Sequence, residues 1–145
     1  MERRTFLHVG GLACLAGAVA STGLVGCAGA RYVDATLEGE DLHIPLTGFA
    51  TAEGRPPLSH VVARHASLRW PIAVYRKGDG GYRALLMRCT HQGAQLKAGE
   101  VELVCPAHGS TFFSDGSVSE GPATLPLREL PVSVVGDQLF ISLKA

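Results

Sequence analysis

An excess of either charge is missing from this sequence. Its 13 Lys and Arg are balanced by 13 Asp and Glu. No cationic excess is left to neutralise a phosphate backbone, which excludes nucleic-acid binding as the main activity. Aromatic residues reach only 6%, so the core falls to Val, Leu, Ile and Ala. Beyond the N-terminal segment, no stretch repeats its apolar residues at the helical period. Helical architectures are excluded with it. No phosphate-cradling glycine loop, Ser/His/Asp set or carboxylate pair stands out, and nothing supports nucleotide, triad or paired-carboxylate chemistry. Internal repeats and low-complexity tracts are absent too. Turn-forming residues are abundant instead: 18 Gly and 8 Pro in 145 residues. That composition and length suit one small domain of short strands.

The N-terminus differs from the rest. Arg3, Arg4, Thr5, Phe6 and Leu7 precede an uncharged run over residues 9–27, rich in Gly and Ala. This order resembles the twin-arginine (Tat) signal of bacterial export. The run ends Leu24-Val25-Gly26-Cys27, which resembles a lipobox with Cys27 as the lipidated first residue. Residues 6–26 also approach the roughly 20 that span a bilayer, so an uncleaved anchor is one alternative and simple cleavage another. Either way, residues 1–26 form a signal peptide or membrane anchor. Residues 27–145 form the domain, tethered on the periplasmic or extracytoplasmic side of a membrane.

From Tyr32 onward the pattern is all-β. Residues 32–37 and 42–46 flank a polar turn and read as a hairpin. Residues 47–59 hold Gly48, Gly54, Pro56 and Pro57 and read as a loop. Residues 60–64 form a short strand. Residues 72–76 and 82–89 read as a second hairpin, and residues 100–105 as a strand. Gly136-Asp137 joins residues 132–135 to 138–143 in a tight hairpin of type I′ or II′.

Four cysteines are present. Cys14 lies in the signal and Cys27 is the lipidation candidate, which leaves Cys89 and Cys105 to the domain. An exported chain with two domain cysteines suggests a disulfide. Their neighbours suggest metal ligation, since His91 follows in Cys-Thr-His and His108 in Cys-Pro-Ala-His. Two thiolates and two imidazoles suit a tetrahedral zinc or a [2Fe–2S] cluster with two Cys on one iron and two His on the other. Each loop supplies one Cys and one His, which favours two metals side by side. Gly93 and Gly109 follow the two pairs and allow each loop to turn sharply. His43, His60 and His65 lack a Cys at ligand spacing and read as ordinary structural residues. Trp70-Pro71 reads as packing at the start of a strand.

CTHQGAQL followed by VCPAHGSTFFSDGSVSEGPA resembles the Rieske iron–sulfur family, whose pattern is C-T-H-x-G and then C-P-x-H-G-S. Gly121-Pro122-Ala123 resembles the family's proline loop, which covers the cluster. The resemblance implies an all-β domain of small antiparallel sheets with a cluster-binding subdomain of two loops. It implies one [2Fe-2S] cluster per chain, with Cys89 and Cys105 on the inner iron and His91 and His108 on the outer. It also gives Ser110 a redox-tuning role, its hydroxyl reaching a bridging sulfide. The expected potential is about −150 to +300 mV, against about −400 mV for all-cysteine ferredoxins. Tat export agrees with a cofactor inserted before transport, because Tat carries folded cargo.

The implied function is single-electron transfer between a membrane or periplasmic oxidoreductase and an acceptor such as a cytochrome. No independent substrate site is implied. The alternatives are the iron–sulfur subunit of a cytochrome bc-type quinol oxidase and the small subunit of a molybdenum oxidase of the arsenite oxidase kind. A cytosolic ferredoxin of a ring-hydroxylating dioxygenase conflicts with the N-terminal signal. Against the bc-type pattern, Gln92 replaces an apolar loop-tip Leu, and Ala94 and Ala107 replace two cysteines that bond the loops together. Without that cross-bond the cluster is expected to be less protected against loop opening, or else the loops are held by packing of Leu96, Phe112, Phe113 and the Pro122 segment. Phe112 replaces a Tyr whose hydroxyl bonds a ligand sulfur. Hydrogen bonds to sulfur stabilise the more negative, reduced state. Phe112→Tyr should therefore raise the midpoint potential in a redox titration; an unchanged or lowered midpoint would refute this account.

Overall fold

The structure is a computed structural model that describes residues 29–144. The signal, anchor and lipidation expectations, with Cys14 and Cys27, lie outside those residues. Among the described residues no helix is long and apolar enough to cross a membrane. The regular structure is strands, apart from one turn of 3₁₀ helix at Leu46–Phe49.

The strands β1 (Tyr32–Asp34), β4 (His60–Arg64), β5 (Ile72–Arg76), β6 (Tyr82–Leu86) and β11 (Glu129–Leu130) form a central sheet in the order β1-β4-β5-β6-β11. β1 runs parallel to β4, and the other neighbours are antiparallel. A base sheet has the order β12-β13-β3-β2, from β12 (Val132–Val135), β13 (Gln138–Ser142), β3 (Asp41–Pro45) and β2 (Thr36–Glu38). The third sheet, β10-β9-β8-β7, is built from β10 (Val118–Glu120), β9 (Thr111–Phe113), β8 (Glu102–Val104) and β7 (Lys97–Ala98).

The central sheet is buried on both faces. Successive side chains of a strand point to opposite faces. Val61, Ala63, Ile72, Val74 and Ala84 pack with Leu42, Ile44, Leu139 and Ile141 of the base sheet. The intervening Val62, Ala73, Tyr75 and Leu85 pack with Leu96, Leu103, Phe112, Cys89 and Cys105. Two-sided burial explains why β4 and β5 read as continuous apolar runs rather than as alternating ones. It also makes the central sheet the floor on which the cysteine-bearing part rests.

Three expectations are corrected. Residues 32–37 do not form one hairpin strand, because the chain breaks at Ala35, whose N–H bonds the Arg64 carbonyl at 2.8 Å. β1 joins the central sheet and β2 pairs with β3, so Val33, Ala35 and Leu37 all reach one core from two sheets. The strand over residues 82–89 stops at Leu86, and the one over 100–105 contracts to β8. At its cysteine end each backbone leaves the ladder to close a loop, and β8 also starts later because the Gly99 N–H bonds the Glu102 carbonyl in a turn. The third correction concerns loop packing. Leu96, Phe112 and Ala123 of the Pro122 segment are buried as expected, but Phe113 is 47% exposed, and Leu127 joins the core instead. The closing hairpin forms as expected: Val135 pairs with Gln138, and Gly136 alone in the turn takes a positive φ, +61°, the type II′ pattern.

His60, on β4, is 7% exposed. Its ring stacks on Tyr75 with centroids 5.3 Å apart. Nδ1 lies 3.2 Å from the Ser59 hydroxyl, and Nε2 has no hydrogen-bond partner among the described residues. Burial pushes its pKa below the ordinary 6.5, opposed by the Glu100 carboxylate. The folded state therefore favours the neutral ring, whereas the unfolded chain takes up a proton nearer pH 6.5. The stability this provides is complete above the unfolded pKa and is lost as pH falls through the lowered folded pKa. Urea midpoints should decline between about pH 7 and pH 5, and His60→Leu should flatten that decline; an equal slope in the variant would rule His60 out as its source.

Candidate metal centre

Cys89 and Cys105 open two loops with one backbone plan. In the first, the Cys89 N–H donates to the Ala94 carbonyl and the Gly93 N–H donates back to Cys89, both at 2.8 Å. In the second, the Cys105 N–H donates to Ser110 at 2.8 Å and the Gly109 N–H donates back to Cys105 at 3.0 Å. Each loop is thus closed by a bond from the cysteine to the fifth residue on, and by a return bond from the fourth. That fourth residue takes φ of +76° at Gly93 and +81° at Gly109, a conformation that L side chains seldom adopt.

Both thiols are buried, Cys89 2% and Cys105 1% exposed, and they form no disulfide. Burial opposes ionisation of Cys89. Hydrogen bonds from the His91 N–H, the Cys105 side chain, the Gln92 N–H and the Ser110 hydroxyl outweigh it and hold the thiol below its ordinary pKa. Backbone N–H groups aimed at sulfur form an anion-binding concavity. His91 and His108 lie outside this pocket, both exposed, their rings perpendicular with centroids 5.0 Å apart. All four sequence-predicted donors therefore meet at one end of the molecule, thiols inside and imidazoles outside. Among the described residues, no three His, Cys, Asp or Glu group around a single-ion position. A division into two and two suits a binuclear group better than one tetrahedral zinc.

The segment over residues 121–127 is pinned to both loops. The fully buried Ser110 hydroxyl accepts the Ala123 N–H at 3.0 Å, which leaves its own proton for sulfur. Thr90 Oγ1 donates to the Leu125 carbonyl at 2.7 Å. The first loop is also held from the side, where Trp70 Nε1 donates to the Gly93 carbonyl at 3.1 Å. The guanidiniums of Arg69 and Arg88 lie over the same indole, 4.6 and 5.0 Å from its centroid. Trp70 is therefore a buttress of the metal-site loop, which sequence reasoning had placed at the start of a strand. Its only signal was that it is the chain's single Trp. Thr90 was visible in the motif without a role.

The family model of the Rieske [2Fe-2S] domain matches residues 55–131. The chain belongs to this family. Its relatives include cytochrome b6-f complex iron-sulfur subunit 1 of Synechocystis sp., 50% identical over 76 residues, which are 50% of this chain and 43% of that one. The cytochrome b6-f complex iron-sulfur subunit of Synechococcus sp. (strain JA-3-3Ab) is 34% identical over 104 residues, 63% of this chain and 60% of that one. The chain thus spans about half the length of these relatives. Among solved structures, the cyanobacterial plasma membrane Rieske protein PetC3 from Synechocystis PCC 6803 superposes with a TM-score of 0.51 at 28% identity, over 58% of this chain and 86% of that one. Naphthalene 1,2-dioxygenase gives 0.54 at 25% identity, over 72% of this chain and 26% of that one.

Membership of the Rieske family brings one [2Fe-2S] cluster per chain. The residues present fit it: two adjacent buried thiols, backbone N–H groups directed at sulfur, and two imidazoles at the surface. Ser110 has two tasks here, and the structural one is measurable. Ser110→Ala leaves the Ala123 N–H without its acceptor in a buried place, a loss of about 1–3 kcal/mol. The denaturant midpoint should fall accordingly; a midpoint equal to wild type would refute the pinning role.

Proposed function

We propose that this Rieske protein is an exported, membrane-tethered carrier of single electrons between a membrane or periplasmic oxidoreductase and an acceptor such as a cytochrome. In this reading Cys89 and Cys105 hold the inner iron, and His91 and His108 hold the outer one. The observation that carries it is the placement of the two imidazoles at the surface over two buried thiols. The cluster, when bound, takes up and gives back one electron. The chain's residues do the rest. The loop glycines let N–H groups face the sulfurs, Ser110 offers its proton to sulfur, and the imidazoles present an edge to a partner. Each imidazole coordinated through one nitrogen keeps the other free, so proton and electron affinity are linked. The twin arginines and Cys27 support export and tethering.

A second reading, the iron–sulfur subunit of a quinol-oxidising cytochrome complex, draws on the 50% identity to a cytochrome b6-f subunit. Gln92, Ala94 and Ala107 weigh against it, since the loop tip is polar and the loops carry no cross-bond. Paramagnetic resonance of the reduced chain, with iron and zinc quantified on one sample, tests the cofactor and its ligands. A rhombic Rieske-type signal with about two irons per chain is expected, lost in Cys89→Ser and Cys105→Ser. Silence with one zinc per chain would overturn the electron-carrier reading.

A further inference from the structure

We infer that the surface around the first cysteine loop docks a carboxylate-rich face of the redox partner, gripped by Arg88, which lines the cleft beside that loop, and by Arg69, which lies outside the cleft against the same Trp70 ring. The inference rests on the electron-carrier reading above and gives it a partner chemistry. The cleft has a volume of about 480 Å³ and is lined by Arg88, His91, Gln92, Leu125 and Arg128, with Cys89 at its inner wall. Leu125, 64% exposed, offers an apolar contact at the rim.

Charge sign is segregated around this end of the molecule. The chain as a whole is neutral, yet residues 86–98, 103–113 and 121–128 carry Arg88, Lys97 and Arg128 and no Asp or Glu. Four carboxylates elsewhere have cations of their own: Asp34 pairs with Arg64, Asp79 with Lys77, Glu129 with Arg83 and Glu40 with Lys144. Among the described residues Arg69 and Arg88 pair with no carboxylate, and both rest on the Trp70 ring. A guanidinium held against an aromatic face keeps its N–H fork available for a carboxylate and has less rotamer freedom to lose on binding. Because the Trp70 N–H is tied to Gly93, the two charges are fixed to the loop that carries His91. A neutral domain cannot be oriented by net charge. A local cationic rim orients it, and turns the imidazole edge toward an acidic partner.

The test is calorimetric titration of the cluster-loaded full chain with poly-L-glutamate, against poly-L-lysine and inorganic phosphate. Saturable binding to poly-L-glutamate is expected, abolished in about 1 M salt, where the screening length is about 3 Å. The Arg69→Gln/Arg88→Gln double variant should bind about tenfold more weakly. Arg69→Gln alone, at an exposed position, should show a smaller loss in the same direction and serves if the double variant does not fold. Arg76→Gln, at the far end of β5, should bind as wild type does. Absence of saturable binding, equal binding of poly-L-lysine, phosphate binding as tight as that of poly-L-glutamate, or undiminished binding in the arginine variants would each overturn the docking site. Iron content and the resonance signal of the same sample report on the carrier reading separately, so either idea can fail alone.

Discussion

Two thiols have to sit side by side, out of water, at the tip of a small domain. Most of the structure follows from that constraint. A buried anionic sulfur is costly unless donors surround it. The donors available in a loop are backbone N–H groups, and these converge only if the chain turns back on itself within a few residues. Both cysteine loops do so by the same pair of bonds, from the cysteine N–H forward and from the glycine N–H back. Gly93 and Gly109 follow directly, since the returning N–H is reached only with φ near +80°. The constraint also explains where the strands stop. β6 and β8 end one or more residues before their cysteines because a residue that closes a loop cannot also extend a ladder.

Loops alone would not hold this geometry. The third sheet is short-stranded, and its own core is only part of what supports the site. The rest comes from Val62, Ala73, Tyr75 and Leu85 on one face of the central sheet. The opposite face is spoken for by the base sheet. The central sheet therefore serves both halves, and each of its faces belongs to one of the two cores. Where bc-type relatives use a cross-loop disulfide, this chain has Ala94 and Ala107. Ser110 to Ala123 and Thr90 to Leu125 tie each loop to the same third segment instead. Two hydrogen bonds to a shared strap limit the opening of either loop, though not as a covalent bond would.

The donor set was legible because metal chemistry confines residue type and spacing. Few other reasons place Cys and His two and three residues apart, twice, each pair with a glycine behind it. The all-β class was legible from strand-length apolar runs and turn residues. Long-range placement was not. The break at Ala35 depends on β4 offering an open edge to β1, which no local pattern announces. Phe113 alternates correctly with Phe112, yet alternation does not say which face is covered, and the larger ring pair suggested packing that only one ring achieves. Trp70 was missed for the same reason. Its contact with Gly93 spans 23 residues and is made by one side-chain N–H.

A neutral chain is an uninformative composition until its charges are placed. Here Asp34, Glu129 and Glu40 are paired with nearby cations at the central and base sheets. The stretches that flank the cysteine loops, residues 86–98, 103–113 and 121–128, carry only positive charges. In the proposed electron-carrier role, the imidazole edges are the part of the protein an electron crosses. A polar Gln92 at the tip gives up the apolar contact that bc-type subunits make there. Recognition then passes to the side of the loop, where two guanidiniums lie over one indole. Buttress and recognition element are the same stack, so the residue that steadies the first loop also sets the charge that a partner meets.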